Sequence, residues 1–239
     1  EAIFAVHSAP LPTGQFGSQP GMMLPGLDLI KITLSGDGDF AAAAEACSNV
    51  IAGVSTTAGL APDHEANDDP MDAAMDPGAF ISAGAFSSEA AGDDWMVTGM
   101  ARASSEQMHA RAKSGIEKGL AALALDGIEY KLLYIERAIA PMNNDADLVA
   151  RADKLFRSIG GDAAVLTLGE TTPFFSEDFA FFQEVVPGAM FFMGVSNAEK
   201  EIVGMPHHPM FVADEAAIAV GVKNMSLVLL DFLENGAER

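Results

Sequence analysis

The chain has 239 residues, 49% of them hydrophobic, and a formal net charge of −21 from 34 acidic and 13 basic residues. Its length and apolar content allow one large or two small domains with a sizeable core and exclude a disordered chain. The acidic surface repels phosphate backbones and so excludes nucleic acid as a partner, and the single cysteine, Cys47, excludes an internal disulfide or a cysteine-rich zinc site.

Residues 2–6 are short and apolar and predict a buried strand that ends at His7. Residues 10–26 hold four prolines and four glycines and predict an irregular loop. Period-two alternation over 27–34 predicts a strand, 35–39 a turn, and the alanine-rich stretch 41–58 a helix with Cys47 as a buried, inert thiol. The acidic, proline-bearing stretch 61–77 reads as a loop. Strands are predicted over 80–86 and 94–102, around a turn at 89–93, and over 128–136. Ser104 or Ser105 caps a helix that runs to about residue 124. The order from 27 to 137, β-α-β-β-α-β, is that of the ferredoxin-like split βαβ unit.

Beyond it, 140–145 predicts a turn ending in a helix N-cap, and 146–159 a helix ended by Gly160 and Gly161. Residues 163–168 are strand-like. A short helix over 176–186, opened by Glu177 and Asp178, stops at Pro187 and Gly188. Residues 189–195 read as a strand buried on both faces, and 214–234 as a long, mostly apolar helix. The expected fold class is α/β: residues 1–26 and 138–239 form one layer system, with 27–137 inserted into it. No stretch is read as reaching the ~20 apolar residues that span a membrane. With no signal-peptide pattern at the N-terminus, a cytoplasmic chain without a membrane partner is expected.

Four stretches, taken in order and spacing, carry a resemblance. They are Ile3-Phe-Ala-Val-His7-Ser-Ala-Pro10 with Leu-Pro-Thr-Gly14; Ala140-Pro-Met-Asn-Asn-Asp145; Ser176-Glu-Asp-Phe-Ala180 with Val186-Pro-Gly188 and Phe191-Phe-Met-Gly194; and His207-His-Pro209 with Phe211, Asp214 and Glu215. Together they resemble the later part of the M20 peptidase and amidohydrolase family, in its aminoacylase, hippurate-hydrolase and indole-acetyl-amino-acid-hydrolase branch. The resemblance implies a partial zinc-peptidase-like α/β catalytic domain with an inserted ferredoxin-like α+β lid. It also implies a homodimer formed through that lid.

The activity so implied is hydrolysis of amide bonds in N-acyl amino acids or small peptides. A divalent metal suits that chemistry because it lowers the pKa of bound water and polarises the carbonyl, and imidazole nitrogen is a natural ligand. By resemblance His7 and His207 are metal ligands for zinc or manganese, as one ion or two. Arg102, in Gly99-Met-Ala-Arg102, is substrate-binding, and Glu177 is a pocket or substrate-contacting residue. The family's catalytic general base, a Glu of a Glu-Glu pair, and its His-x-Cys-Gly-His-Asp segment lie upstream and have no counterpart here. His208, at the variable position of its motif, reads as a neighbour of the site.

Without the resemblance, a lone histidine reads as an ordinary core or surface residue. His64 and His109 read as exposed histidines. Phe174, Phe175, Phe179, Phe181 and Phe182 read as core packing rather than an aromatic pocket.

The lid departs from the family at two places. Where the family has Gly-Gly-His-Ala, this chain has Gly38-Asp39-Phe40-Ala41, and phenylalanine donates no hydrogen bond to an oxyanion. The family's Asn before the third lid strand is missing from Glu89–Trp95. Two alternatives therefore stand beside the hydrolase: a non-catalytic binding or dimerisation module, and an active relative with altered lid chemistry.

Overall fold

The structure, a computed structural model, describes residues 1–57, 79–169, 171 and 173–236. The acidic stretch expected as a loop at 61–77, with His64, lies outside the described residues. The chain divides into two compact units. Unit 1 holds Glu1–Met23, Asn143–Glu170 and Phe179–Arg239, and unit 2 holds Leu24–Met142 and Thr171–Asp178.

Unit 1 is built on strands β1 (Ile3–Pro12), β10 (Gly188–Ser196), β2 (Phe16–Ser18) and β9 (Val165–Thr167), in that spatial order. β1 runs parallel to β10, with His7 opposite Phe192. Helices α3 (Ala146–Gly160) and α5 (Ala216–Asn235) pack on this sheet, and the short α4 (Phe179–Gln183) precedes β10. The core is an aromatic stack: Phe16 lies face to face on Phe156 at 4.2 Å, and Phe156 meets Phe191 edge-on at 5.2 Å. Asp145 caps α3 by accepting from the N–H groups of Asp147 and Leu148.

In unit 2 the sheet consists of β5 (Ile81–Ala91), β6 (Asp94–Ala103), β4 (Gly26–Gly36) and β7 (Ile128–Ile139), in that order and antiparallel throughout. Helices α1 (Phe40–Gly53) and α2 (Glu106–Ala121) cover one face. Numbered within the unit, the strand order is 2-3-1-4, the split βαβ arrangement. Ile30, Ile32 and Leu34 alternate inward from β4 and meet Val97 and Ala101 of β6 and Ile51 and Ile116 of the helices. Cys47 is buried among them, and burial pushes its thiol pKa up. A further pair, β3 (Gly21–Leu24) with β8 (Met142–Asn144), forms a two-stranded ribbon.

Several sequence expectations need correction. The proline- and glycine-rich stretch 10–26 contains β2 and β3, because three or four residues suffice to pair with a strand distant in sequence, β10 for β2 and β8 for β3. The helix expected over 176–186 is limited to Phe179–Gln183, so Glu177 and Asp178 precede it rather than open it. Residues 171–178, expected with the segment 138–239, cluster with unit 2. His7 does not end its strand; β1 continues to Pro12. Of the five phenylalanines read as core, only Phe179 is buried; Phe174, Phe175, Phe181 and Phe182 are 42–57% exposed. Finally, α5 is 20 residues long and apolar enough, by length and composition, to cross a membrane. The long run was missed because Lys223 and Asp231 interrupt it.

Candidate functional site

His7 projects from the middle of β1, and His207 from the loop between β10 and α5. Their rings lie 5.5 Å apart, centroid to centroid, at an interplanar angle of 40°. His7 Nδ1 is 2.7 Å from the backbone oxygen of Ser8. A carbonyl only accepts, so Nδ1 carries a proton, and in the neutral ring the lone pair lies on Nε2. A ring so oriented by a backbone carbonyl is pre-set to ligate through Nε2. The Phe192 ring meets His7 edge-on at 6.0 Å and supports it from the neighbouring strand.

His207 holds a left-handed backbone conformation, φ 59°, which a non-glycine residue adopts only where its surroundings impose it. Its loop is pinned by Asp214, which is 3% exposed. Asp214 accepts hydrogen bonds from Asn197 Nδ2 and Lys200 Nζ, each at 2.7 Å, and from the Ala216 N–H at 3.3 Å. Those bonds, led by Asn197 and then Lys200, hold its carboxyl pKa down at about 2. The Asp214 N–H in turn donates to the Val195 carbonyl at 2.9 Å, which ties the end of the loop to β10. In the sequence Asp214 stands out only as part of a motif; a network of Asn197, Lys200 and Asp214 has no short-range pattern that would reveal it. Nearby, Gly194 lets β1 approach β10: a Cβ there would lie 2.0 Å from the Pro12 carbonyl oxygen. His208 is exposed, and its Nδ1 accepts from the Met210 N–H at 3.1 Å.

The motif Ala140–Asp145 supplies a structural clip. Asn144, 3% exposed, donates to the Met190 carbonyl at 3.1 Å and accepts from the Met190 N–H at 2.9 Å and from Gln183 Nε2 at 3.1 Å. This locks β8 to the strand that precedes the His207 loop.

Unit 2 brings together Arg102 and the residue before Glu177. Arg102 Nε donates to Ser176 Oγ at 3.2 Å, and Ser176 Oγ donates to the Pro25 carbonyl at 3.0 Å. Arg102 Nη1 contacts Met100 Sδ at 2.8 Å. Burial lowers the guanidinium pKa, and Arg102 has no carboxylate partner among the described residues. A partly buried guanidinium without an internal anion is suited to an anionic group brought in from outside.

A second polar cluster in unit 2 was not foreseen. Asp28, 1% exposed, accepts from His109 Nδ1 at 2.7 Å, from the Tyr134 hydroxyl at 2.8 Å and from the Arg137 N–H at 2.8 Å. His109, expected to be exposed, has a side chain only 12% exposed. Burial raises the Asp28 pKa, but the bonds from His109 and Arg137, the His109 charge and the Tyr134 bond outweigh it and lower the pKa overall. Tyr134 is pushed well up by burial and by Asp28, so it stays a donor. Phe40, where the resemblance expects histidine, begins α1 and stacks on Trp95 at 6.4 Å.

His7 and His207 fit a divalent metal in kind, since both are imidazoles and one has a fixed free nitrogen. They fall short in number: no group of three or more His, Cys, Asp or Glu positioned to hold a metal occurs among the described residues. Catalytic zinc takes three protein ligands.

The sequence profile of peptidase family M20/M25/M40 matches residues 1–231. An IAA-amino acid hydrolase ILR1-like 6 of Arabidopsis thaliana is 30% identical over 227 residues, covering 92% of this chain and 47% of the relative. An N-acetyldiaminopimelate deacetylase of Brevibacillus brevis is 26% identical over 233 residues, covering 95% and 58%. Among solved structures, a dinuclear metal-binding M20 peptidase of Bacillus subtilis superimposes with a TM-score of 0.60 at 21% identity, covering 98% of this chain and 58% of that one. The chain thus spans about half to three-fifths of the length of the relatives it matches.

Proposed function

Because this chain belongs to peptidase family M20/M25/M40, we propose that it is the part of a metal-dependent amide hydrolase that supplies two imidazole ligands and an anchor for substrate carboxylate. The observation that carries the reading is the meeting of His7 and His207, 5.5 Å apart, from opposite ends of the sequence. His7 and His207 would hold zinc or manganese, as one ion or a member of a pair, and a bound ion of this kind supplies water of lowered pKa for attack on an amide carbonyl. Further ligands and the general base belong to the upstream segment of the family.

The chain's own residues do the rest. The Ser8 carbonyl fixes the His7 tautomer, and Asp214 holds the loop that carries His207. Arg102 pairs with the carboxylate of an N-acyl amino acid or small peptide, steadied by Ser176, and Glu177 contacts the substrate beside it. By resemblance, a homodimer formed through unit 2 belongs to the same proposal, and light scattering tests it: a monomeric mass contradicts it.

Isothermal titration of the full chain with N-acetyl-amino acids and their carboxamides tests the substrate class. The acids should bind about tenfold or more tighter, as expected of a charge-assisted bidentate pair, and Arg102→Ala should remove the difference. Equal binding of acid and amide overturns the assignment. One observation favours a second reading, a binding module without hydrolysis. Phe40 occupies the position of the family's lid histidine and is engaged with Trp95. Carboxylate binding retained in a metal-loaded, complete protein that cleaves no amide would establish that reading.

A further inference from the structure

The residues of β6 alternate between two faces. Val97, Ala101 and Ala103 belong to the core under α1 and α2. Met96, Thr98, Met100 and Arg102, one step out of phase with them, lie on the opposite, part-exposed face. A spacing of two residues sets the Met100 and Arg102 side chains next to each other on that face, and their ends meet: Arg102 Nη1 donates to Met100 Sδ at 2.8 Å. Arg102 Nε goes to Ser176 Oγ. The guanidinium is thus held by a hydroxyl and a thioether, which together engage two of its five N–H donors.

A thioether is a weak acceptor. It steadies the guanidinium while leaving it open to a carboxylate, which makes the stronger, charge-assisted bonds. The sulfur is also open to small reagents. Met100 stands opposite Leu29 of β4 on one side and Gly84 of β5 on the other. Gly84 brings no side chain, and a Cβ placed there would meet nothing within 4 Å, so the β5 side of Met100 is open space. Met23, Met108, Met142 and Met190, by contrast, are shut in the interior.

We propose that Met100 is an oxidation site that controls the Arg102 anchor: hydrogen peroxide converts its thioether to a sulfoxide, whose oxygen holds the guanidinium and competes with the ligand carboxylate. A sulfur lone pair attacks one peroxide oxygen, and the S–O bond forms as the O–O bond breaks. The leaving hydroxide takes the proton from the transferred oxygen and departs as water. Sulfur gives up two electrons and the peroxide accepts them. The product is polar where the thioether was apolar. A gap of 2.8 Å between Nη1 and Sδ has no room for an oxygen between them, so the guanidinium turns away from its present position as the new acceptor takes its donors. The inference rests on the reading of Arg102 as a carboxylate anchor and adds a means of regulating it.

The full 239-residue chain and its Met100→Leu variant are treated with hydrogen peroxide, mapped by mass spectrometry, and titrated with N-acetyl-amino acids and their carboxamides. Met100 is expected to gain one oxygen, and the acids to bind about tenfold or more weaker, with the carboxamides unaffected. A methionine sulfoxide reductase should restore the starting affinity. The variant keeps the exposed Met205 and Met210, so its affinities before and after peroxide should be the same. A second readout needs no ligand. The Arg102 Nε–H signal in a nitrogen–proton NMR spectrum, assigned by its loss in Arg102→Ala, should move on oxidation of the parent and stay in place in the variant. Met100 left unmodified while Met205 and Met210 are oxidised overturns the proposal. So does an oxidised Met100 that leaves the Arg102 signal or the acid affinity unchanged. Equal binding of acid and amide before any peroxide would instead sink the carboxylate reading of Arg102. The Nε–H signal then decides the Met100 contact alone: a moved signal upholds it and an unmoved one overturns it.

Discussion

His7 and His207 meet only because β1 and β10 are parallel neighbours and the loop after β10 folds back over them. Each proposed ligand role depends on a residue that is not itself a candidate ligand. Asp214 is one. Its carboxyl pKa, held at about 2 by Asn197 and Lys200, lies below the value near 3.9 of an unfolded aspartate. A depressed carboxylate stabilises the fold above the unfolded pKa and loses that contribution as pH falls through the folded one. The His207 loop should therefore stay protease-resistant from neutral pH down to about pH 4 and loosen towards pH 2. Asp214→Ala should make the loop cleavable at pH 7, which limited proteolysis with mass mapping reads directly; an uncut loop contradicts the role. Asp28 follows the same sign. Its lowered pKa contributes stability above the unfolded value that fades in acid, so Asp28→Asn should lower stability at pH 7 more than at pH 3. Urea titrations at the two pH values check the difference, and an equal loss at both contradicts it.

At the scale of elements, short-range signals were legible where one residue type dictates one conformation. Asp39, Ser105 and Asp145 cap α1, α2 and α3 through their side chains, and Ser105 and the cap at 145 were readable from sequence. What could not be read was pairing at a distance. β2 and β3 hide in a proline- and glycine-rich stretch because their partners, β10 and β8, lie far downstream. Asn144, quoted only as part of a motif, is a buried clip between β8 and β10. Asn144→Ala would remove the acceptor of the Met190 N–H in the interior, while the Met190 carbonyl keeps the Ser18 hydroxyl, at a cost of about 1–3 kcal/mol in chemical denaturation. Stability unchanged within error would show that the clip is dispensable. Gly36 is a similar constraint: it has φ 120°, and a Cβ there would meet the Gly127 carbonyl oxygen at 2.2 Å. Gly36→Ala should therefore destabilise unit 2 by about 1–3 kcal/mol or more, seen as a lower melting temperature.

For the whole molecule, the α/β class followed from the alternation of predicted strands and helices, and the family from four motifs whose order no composition argument could supply. The exposure of residues could not be read the same way. Four phenylalanines taken for core are exposed, and the histidine taken for a surface residue, His109, is held by Asp28. Burial depends on which faces of a sheet or helix find a partner. The outer flank of α5 keeps apolar side chains exposed, and the chain spans 47–58% of the length of these two relatives. The same fact separates the two halves of the functional question. The imidazole pair belongs to this chain and the Arg102 anchor is proposed for it, whereas the general base implied by the family resemblance lies upstream.

We propose above all that His7 and His207 together ligate a divalent metal. Titration of the full 239-residue chain with zinc by calorimetry tests it, alongside His7→Ala and His207→Ala. Specific binding by the parent chain is expected to weaken about tenfold or more in each single variant, as removal of a support to a metal site already does. In the double variant little further loss is expected, because the two rings act as one site. Zinc affinity unchanged by either substitution, with the fold intact by circular dichroism, would contradict it.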